Sequence, residues 1–198
     1  MAFLHRRQLI TTTAGAATAL AVPSLSLAGG SATRIPTVAE IRRSKRDFWI
    51  LADLINDYRR EIGLPAARMS ARLTAVAAVH AKDLCYRRPH DIYGSLHSWS
   101  PSKYWQGGGY DYGNKDTWPL MWNKPKEITG YPGFGFEISA AGVRDAAHAL
   151  QVWRESESHH NVIANRHVWN DPRWQWHALG AVFYKGYACA WFGDKEDV

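Results

Sequence analysis

The chain reads as an α+β domain in which helices pack on an antiparallel sheet. Three observations point there: two helical stripes in the first half, a third around residue 150, and an alternating hairpin near the C-terminus. In the first stripe Phe48, Leu51, Leu54, Ile55, Tyr58 and Ile62 recur at spacings of three and four, and Gly63 followed by Leu64-Pro65 ends the helix. Ser70 is placed to cap a second helix, whose buried stripe is Leu73, Val76, Ala77, His80 and Leu84. A lone histidine on such a stripe is more often a hydrogen-bonded core residue than a ligand, so His80 stays outside the candidate site. The third helix carries Val143, Ala146, Ala147, Leu150 and Trp153 and ends near Ser156. There serines, glutamates and histidines crowd together, a composition that favours caps and turns over helix interior. Residues 161–176 read as irregular. Ala178 to Tyr184 and Tyr187 to Phe192 then read as strands joined at Lys185-Gly186, with glycine where a positive φ is needed.

With 198 residues, 46% of them hydrophobic, the chain is sized for one core and a short appended tail. Residues 1–28 have the form of an export signal: Arg6-Arg7, an apolar run from Leu9 to Val22, Pro23, and the small-residue exit Ser26-Leu27-Ala28. The adjacent arginines resemble a twin-arginine signal, with His5 and Leu9 in place of its usual hydroxyl and phenylalanine, the other reading being an ordinary Sec signal that happens to carry two arginines. The run is too short for a membrane span, so the mature protein is expected to be exported, periplasmic or secreted, without a transmembrane segment. The net charge of +6 drops to +4 once Arg6 and Arg7 leave, since residues 1–28 carry no acid. Much of the remaining excess lies in Arg42-Arg43-Ser44-Lys45-Arg46, a solvated flank, and nothing resembles a nucleic-acid module. Thr37 and Glu40 have capping-box spacing before it. Cys85 and Cys189 allow either one disulfide or two free thiols.

Residues 86–136 scatter Trp99, Tyr104, Trp105, Tyr110, Tyr112, Trp118, Trp122 and Tyr131 among glycines, prolines and lysines without a stable period. A long loop of this kind in a compact domain is usually functional. Most of these rings are expected to fasten the loop to the body, with one or two left at a groove. Trp99, Trp105 and Trp122 are the candidates for that groove.

Titratable side chains meet irregular backbone at three places: Leu96-His97-Ser98-Trp99-Ser100, Gly133 to Ile138 around Glu137, and Ser156-Glu157-Ser158-His159. Two neutral imidazoles can bind a divalent metal, and a carboxylate beside them can ligate, orient a histidine or act as a base. No zinc-protease, serine-hydrolase, phosphate-loop or dinucleotide motif offers another anchor.

In order and spacing these blocks resemble the CAP superfamily, also called the SCP-like or cysteine-rich secretory, antigen 5 and pathogenesis-related 1 domain. Leu54 to Arg59 with Gly63-Leu64-Pro65 is similar to its first helix and exit, and Ala77 to Leu84 to its second. His97 falls at its first cleft histidine, and Glu137-Ile138 at its Gly-Glu-Asn-Ile block. Trp153, Ser156, His159 and Ile163 match the bacterial pattern, and Ala190 to Gly193 its closing hairpin. The resemblance implies an α-β-α sandwich with a small antiparallel sheet, covering residues 46–193, after a linker at 29–45 and before a tail at 194–198. It also implies a cleft that gathers two histidines and two acids, which in some members holds a divalent metal. His97 and His159 would be the metal ligands, zinc being one such ion, and Glu137 the acid or catalytic base. The second acid of many members is replaced by Ser156, flanked by Glu155 and Glu157. Glu155 is the candidate fourth cleft residue, set against its reading as a solvated surface acid. Continuing the buried stripe past Trp153 would turn His160 inward, whereas the family pattern selects His159.

The function expected is a binding module for a small apolar, glycan or peptide ligand or an envelope component, with the divalent metal optional. A metal-assisted hydrolase with Glu137 as base is the alternative, and a structural or interaction protein with a vestigial cleft is a third.

Overall fold

The computed structural model of the protein describes residues 37–43 and 45–197, and the export signal read at 1–28 lies outside the described residues. Thr37 and Glu40 form the capping box, Thr37 N–H donating to Glu40 Oε2 at 2.8 Å and Glu40 N–H to Thr37 Oγ1 at 3.2 Å, and open α1 (Val38–Arg43). Helix α2 (Lys45–Glu61) follows, and its exit is the left-handed Gly63 at φ 80°. A two-residue strand β1 (Arg68–Met69) leads to α3 (Ala71–Tyr86), whose cap Ser70 accepts from Leu73 N–H at 3.0 Å.

The 86–136 stretch is less irregular than its composition suggests. It contains α4 (Pro89–Tyr93), a 3-10 turn at Lys115–Thr117, α5 (Trp118–Trp122) and α6 (Lys124–Thr129). These pieces are too short to show a period, and α4, α5 and α6 are each started by a proline in the first turn. The Glu137 segment, read as irregular, is strand β2 (Gly135–Ala141). Helix α7 (Ala146–Glu155) ends where Ser156 adopts extended geometry (φ −94°, ψ 115°), and a new helix, α8 (Glu157–Ile163), starts at once. Residues 161–176 are therefore partly ordered, with 3-10 turns at His167–Asn170 and Pro172–Trp174 after α8. The hairpin is β3 (Ala178–Tyr184) and β4 (Tyr187–Gly193), closed by Lys185 (φ 45°) and Gly186 (φ 86°).

The sheet runs β1-β3-β4-β2, parallel only between β1 and β3. Alternation along the strands divides the core in two. Leu179, Ala181, Ala188, Ala190, Phe192 and Ile138 face α2 and α7, where Leu51, Ile55, Leu150 and Trp153 meet them. Ala178, Val182, Cys189 and Trp191 face α3. Helices on both faces make this an α-β-α sandwich, the architecture that the sequence resemblance implies. Helix α3 approaches very closely because it is alanine-rich and because Gly180 lies beneath it: a Cβ there would overlap Thr74 N and Leu73 C. Residues 194–197 are docked rather than loose. Asp197 accepts from Ser70 Oγ at 2.7 Å and from Arg72 N–H at 3.1 Å, which puts a carboxylate at the N-terminus of α3. Both cysteines are free thiols, Cys189 buried on β4 and Cys85 half-buried on α3. No helix among the described residues is long and apolar enough to cross a membrane.

Candidate functional site

Strand β2 is an edge strand, and a cleft of about 470 Å³ opens where it meets the loop layer and α8. His97 and Tyr110 line it from the loop, Phe136 and Glu137 from the strand, His159 from α8 and Trp169 from the turn beyond. The cleft therefore brings together His97, Glu137 and His159, three residues that lie far apart along the chain.

Register explains how Glu137 comes to be buried. It pairs with Trp191 and so shares the α3 face of the sheet, where it is 1% exposed. A carboxylate there needs partners on both oxygens. His80 Nδ1 donates to Oε1 and His97 Nδ1 donates to Oε2, the latter at 2.9 Å. Burial, the largest single influence, pushes the Glu137 carboxyl up, but His80 and then His97 outweigh it and hold it down to about 2. His80, fully buried and stacked on Trp99 with ring centroids 4.0 Å apart, also reaches Ser98 O through Nε2 at 3.2 Å. A carbonyl only accepts, and so does an ionised carboxylate, so the ring carries hydrogen on both nitrogens and its charge is matched by Glu137.

The consequence for the cleft lies in His97. With its Nδ1–H committed to Glu137, the neutral ring carries its lone pair on Nε2, which has no protein partner among the described residues. His159 is arranged in parallel. Its Nδ1 bonds Ser156 Oγ at 2.7 Å, and that hydroxyl continues to Ser158 Oγ at 3.3 Å. Burial first, and repulsion from a charged His97 second, push the His159 ring below the ordinary histidine range, which favours its neutral form. The serine standing at the position of the second acid thus orients a histidine, as Glu137 does for the other. His160 turns the opposite way and bonds Tyr58 OH at 2.9 Å, because the break at Ser156 shifts the helical phase.

Several expected site residues lie elsewhere. Glu155 is exposed on the last turn of α7, where it accepts from Gln151 Nε2 at 2.9 Å, and Glu157 is exposed at the start of α8. Trp99 is 0% exposed beneath His80, and Trp105 packs edge-on against it with its N–H on Ser100 O at 2.9 Å. Neither can line a groove; they hold the loop to α3. Trp122 is half-buried just outside the cleft, against Phe136 at 5.5 Å. Sequence reasoning set His80 aside as a core histidine. Its position in the core is as expected, and the partner that makes it matter is 57 residues away.

The fit of a metal follows from these donors. His80, Glu137 and Cys189 form a cluster of ligand-type atoms within 4.8 Å of one another. The direct His80–Glu137 hydrogen bond occupies the space an ion would need, and burial raises the Cys189 thiol well above its ordinary value. That trio is a hydrogen-bonded core. On His97 and His159 the Nδ1 atoms are engaged by Glu137 and Ser156, which leaves Nε2 as the nitrogen each ring offers to the cleft.

The model of the CAP family, described as the cysteine-rich secretory protein family, matches residues 52–180. Among solved structures, the chain is similar to an outer surface protein of Borrelia burgdorferi (17% identity, TM-score 0.52), with 77% of this chain and 96% of that one covered. It is also similar to an extracellular protein of Bacillus anthracis containing an SCP domain (22% identity, TM-score 0.53), with 81% of this chain and 44% of that one covered. A sequence search of curated proteins finds no match. The family match spans most of the chain and includes the His97, Glu137 and His159 positions, and the chain belongs to the cysteine-rich secretory protein (CAP) family.

Proposed function

We propose that the protein acts outside the cytoplasm as a binding module whose cleft takes a small ligand with an apolar body. The observation that carries this reading is the pairing of an aromatic-walled cleft with two imidazoles, each fastened through Nδ1 and each offering Nε2 as an acceptor. Ligand hydroxyl or amide N–H groups would donate to those nitrogens while the apolar body covers Tyr110, Phe136 and Trp169. A divalent ion such as zinc, held by His97 and His159, would supply a Lewis-acid contact to a ligand oxygen. Glu137 is less suited to act as the base of a hydrolase, since both its oxygens already accept from imidazoles.

The test is a calorimetric screen of the purified protein against envelope lipids, glycans and zinc, repeated with His97→Ala and His159→Ala. Binding that both substitutions weaken supports the reading. No binding by any probe, or binding indifferent to both substitutions, contradicts it.

A further inference from the structure

The tryptophans of this chain differ in what their indole N–H groups do. Those of Trp105, Trp118 and Trp176 each donate to a backbone carbonyl, at 2.9, 3.0 and 2.7 Å. Those of Trp99, Trp153 and Trp191 are sealed inside the core. The N–H groups of Trp122, Trp169 and Trp174 do neither: these half-buried rings have no acceptor among the described residues, and their nitrogens are not among the buried ones.

Those three rings belong to one wall. Trp169 and Phe136 line the cleft, with centroids 4.2 Å apart. Phe136 meets Trp122 at 5.5 Å, and Trp122 meets Trp174 at 5.0 Å and Phe134 at 6.4 Å. Phe134, at the outer end, is 53% exposed. The wall leads from the two histidines outward across the surface.

We infer that this wall and the cleft together bind a neutral oligosaccharide. Pyranose rings present C–H faces that pack on aromatic rings, and hydroxyls that accept from indole N–H and donate to imidazole Nε2 at once. A hydrocarbon tail would cover the three N–H donors and both Nε2 acceptors without replacing their bonds to water, a loss at every one of them. An anionic headgroup would find no lysine or arginine in the cleft lining, where the cations on offer are imidazoles alone and the one carboxylate, Glu137, is already paired. The inference rests on the cleft being a binding site, and it adds the class of ligand and the wall that would recognise it.

The experiment is tryptophan-fluorescence and calorimetric titration with cellohexaose and chitohexaose, with cellobiose as the short control and phosphatidylcholine vesicles as the lipid arm. Trp122→Phe and Trp174→Phe keep a ring and delete one donor, so each should weaken hexasaccharide binding by roughly ten-fold. Phe134→Ala, at an exposed position that packing does not constrain tightly, should weaken the hexasaccharide and leave the disaccharide unchanged. Sugar binding lost in the tryptophan variants but indifferent to His97→Ala and His159→Ala would overturn the inference as stated, because the cleft would then take no part. Binding that needs the histidines and ignores all three aromatic variants would overturn this inference and leave the binding module standing. Failure of both hexasaccharides, or capture of the vesicles in their place, would also overturn it.

Discussion

On the α2 and α7 face of the sheet, Leu179, Ala181 and Phe192 meet Leu51, Ile55 and Trp153 in a layer whose buried charge, among the described residues, is Arg59. On the α3 face, Ala178, Val182 and Trp191 share their layer with His80, Asp83, Lys124, Glu137 and Cys189. Burying polar groups costs stability unless every one is paired, so fold stability alone gives no reason for the second arrangement. The cleft does give one. His80 and Glu137 form a polar column whose far end is the Nδ1–H of His97. Arg59 answers to the same need from the other face, since it donates to Pro65 O at 3.1 Å, to Asn165 Oδ1 at 2.8 Å and to Ile163 O, the last residue of the helix that carries His159. Its guanidinium is lowered to about 10 by burial and remains charged.

Breaking the column should have the largest effect. Glu137→Leu leaves the His80 imidazolium buried without a counter-charge and should cost about 3–5 kcal/mol in urea unfolding, while His80→Leu with Glu137→Leu should recover much of that. A double variant as unstable as the single one would show that the two do not act as a pair. Acid provides the same test without mutation. Because Glu137 is depressed in the folded protein, its contribution is present above the unfolded-state value of 4.5 and is lost as pH falls towards about 2, on the order of 3 kcal/mol. That loss should shrink in Glu137→Gln, as read by acid unfolding curves.

Smaller effects should come from the opposite face. Arg59→Met removes the donor to two buried acceptors and one partly buried one and should cost about 2–3 kcal/mol, with hydrogen exchange rising first in α8. Ser156→Ala should change unfolding stability by less than about 0.5 kcal/mol, because the hydroxyl is only partly buried. Its effect should appear instead as a His159 ring that reorients, visible in its side-chain NOE pattern.

Legibility in the sequence follows the same division. Helices α2 and α3, their Gly63 and Ser70 boundaries and the β3–β4 hairpin could be read because local residues fix them. Strand β2 could not, since Glu137 interrupts its apolar pattern for the sake of the column, and α4 to α6 are too short to show a period. His97, Glu137 and His159 were found through the family pattern, and the structure places all three on one cleft. Glu155 lies on α7 two residues beyond Trp153, off the buried stripe, and is the solvated surface acid of its alternative reading, while Trp99 and Trp105 were misplaced because a ring in a loop looks alike whether it faces water or anchors the loop to a helix. The role of His80 was hidden by distance along the chain, since its partner lies on another layer.

The most direct measurement is long-range proton–nitrogen NMR correlation of the histidine rings, at a pH above the histidine range and with zinc excluded. The account predicts that His97 and His159 carry hydrogen on Nδ1 and a bare Nε2. Finding His97 with its hydrogen on Nε2 would contradict it, because Glu137 would then not set the nitrogen that faces the cleft.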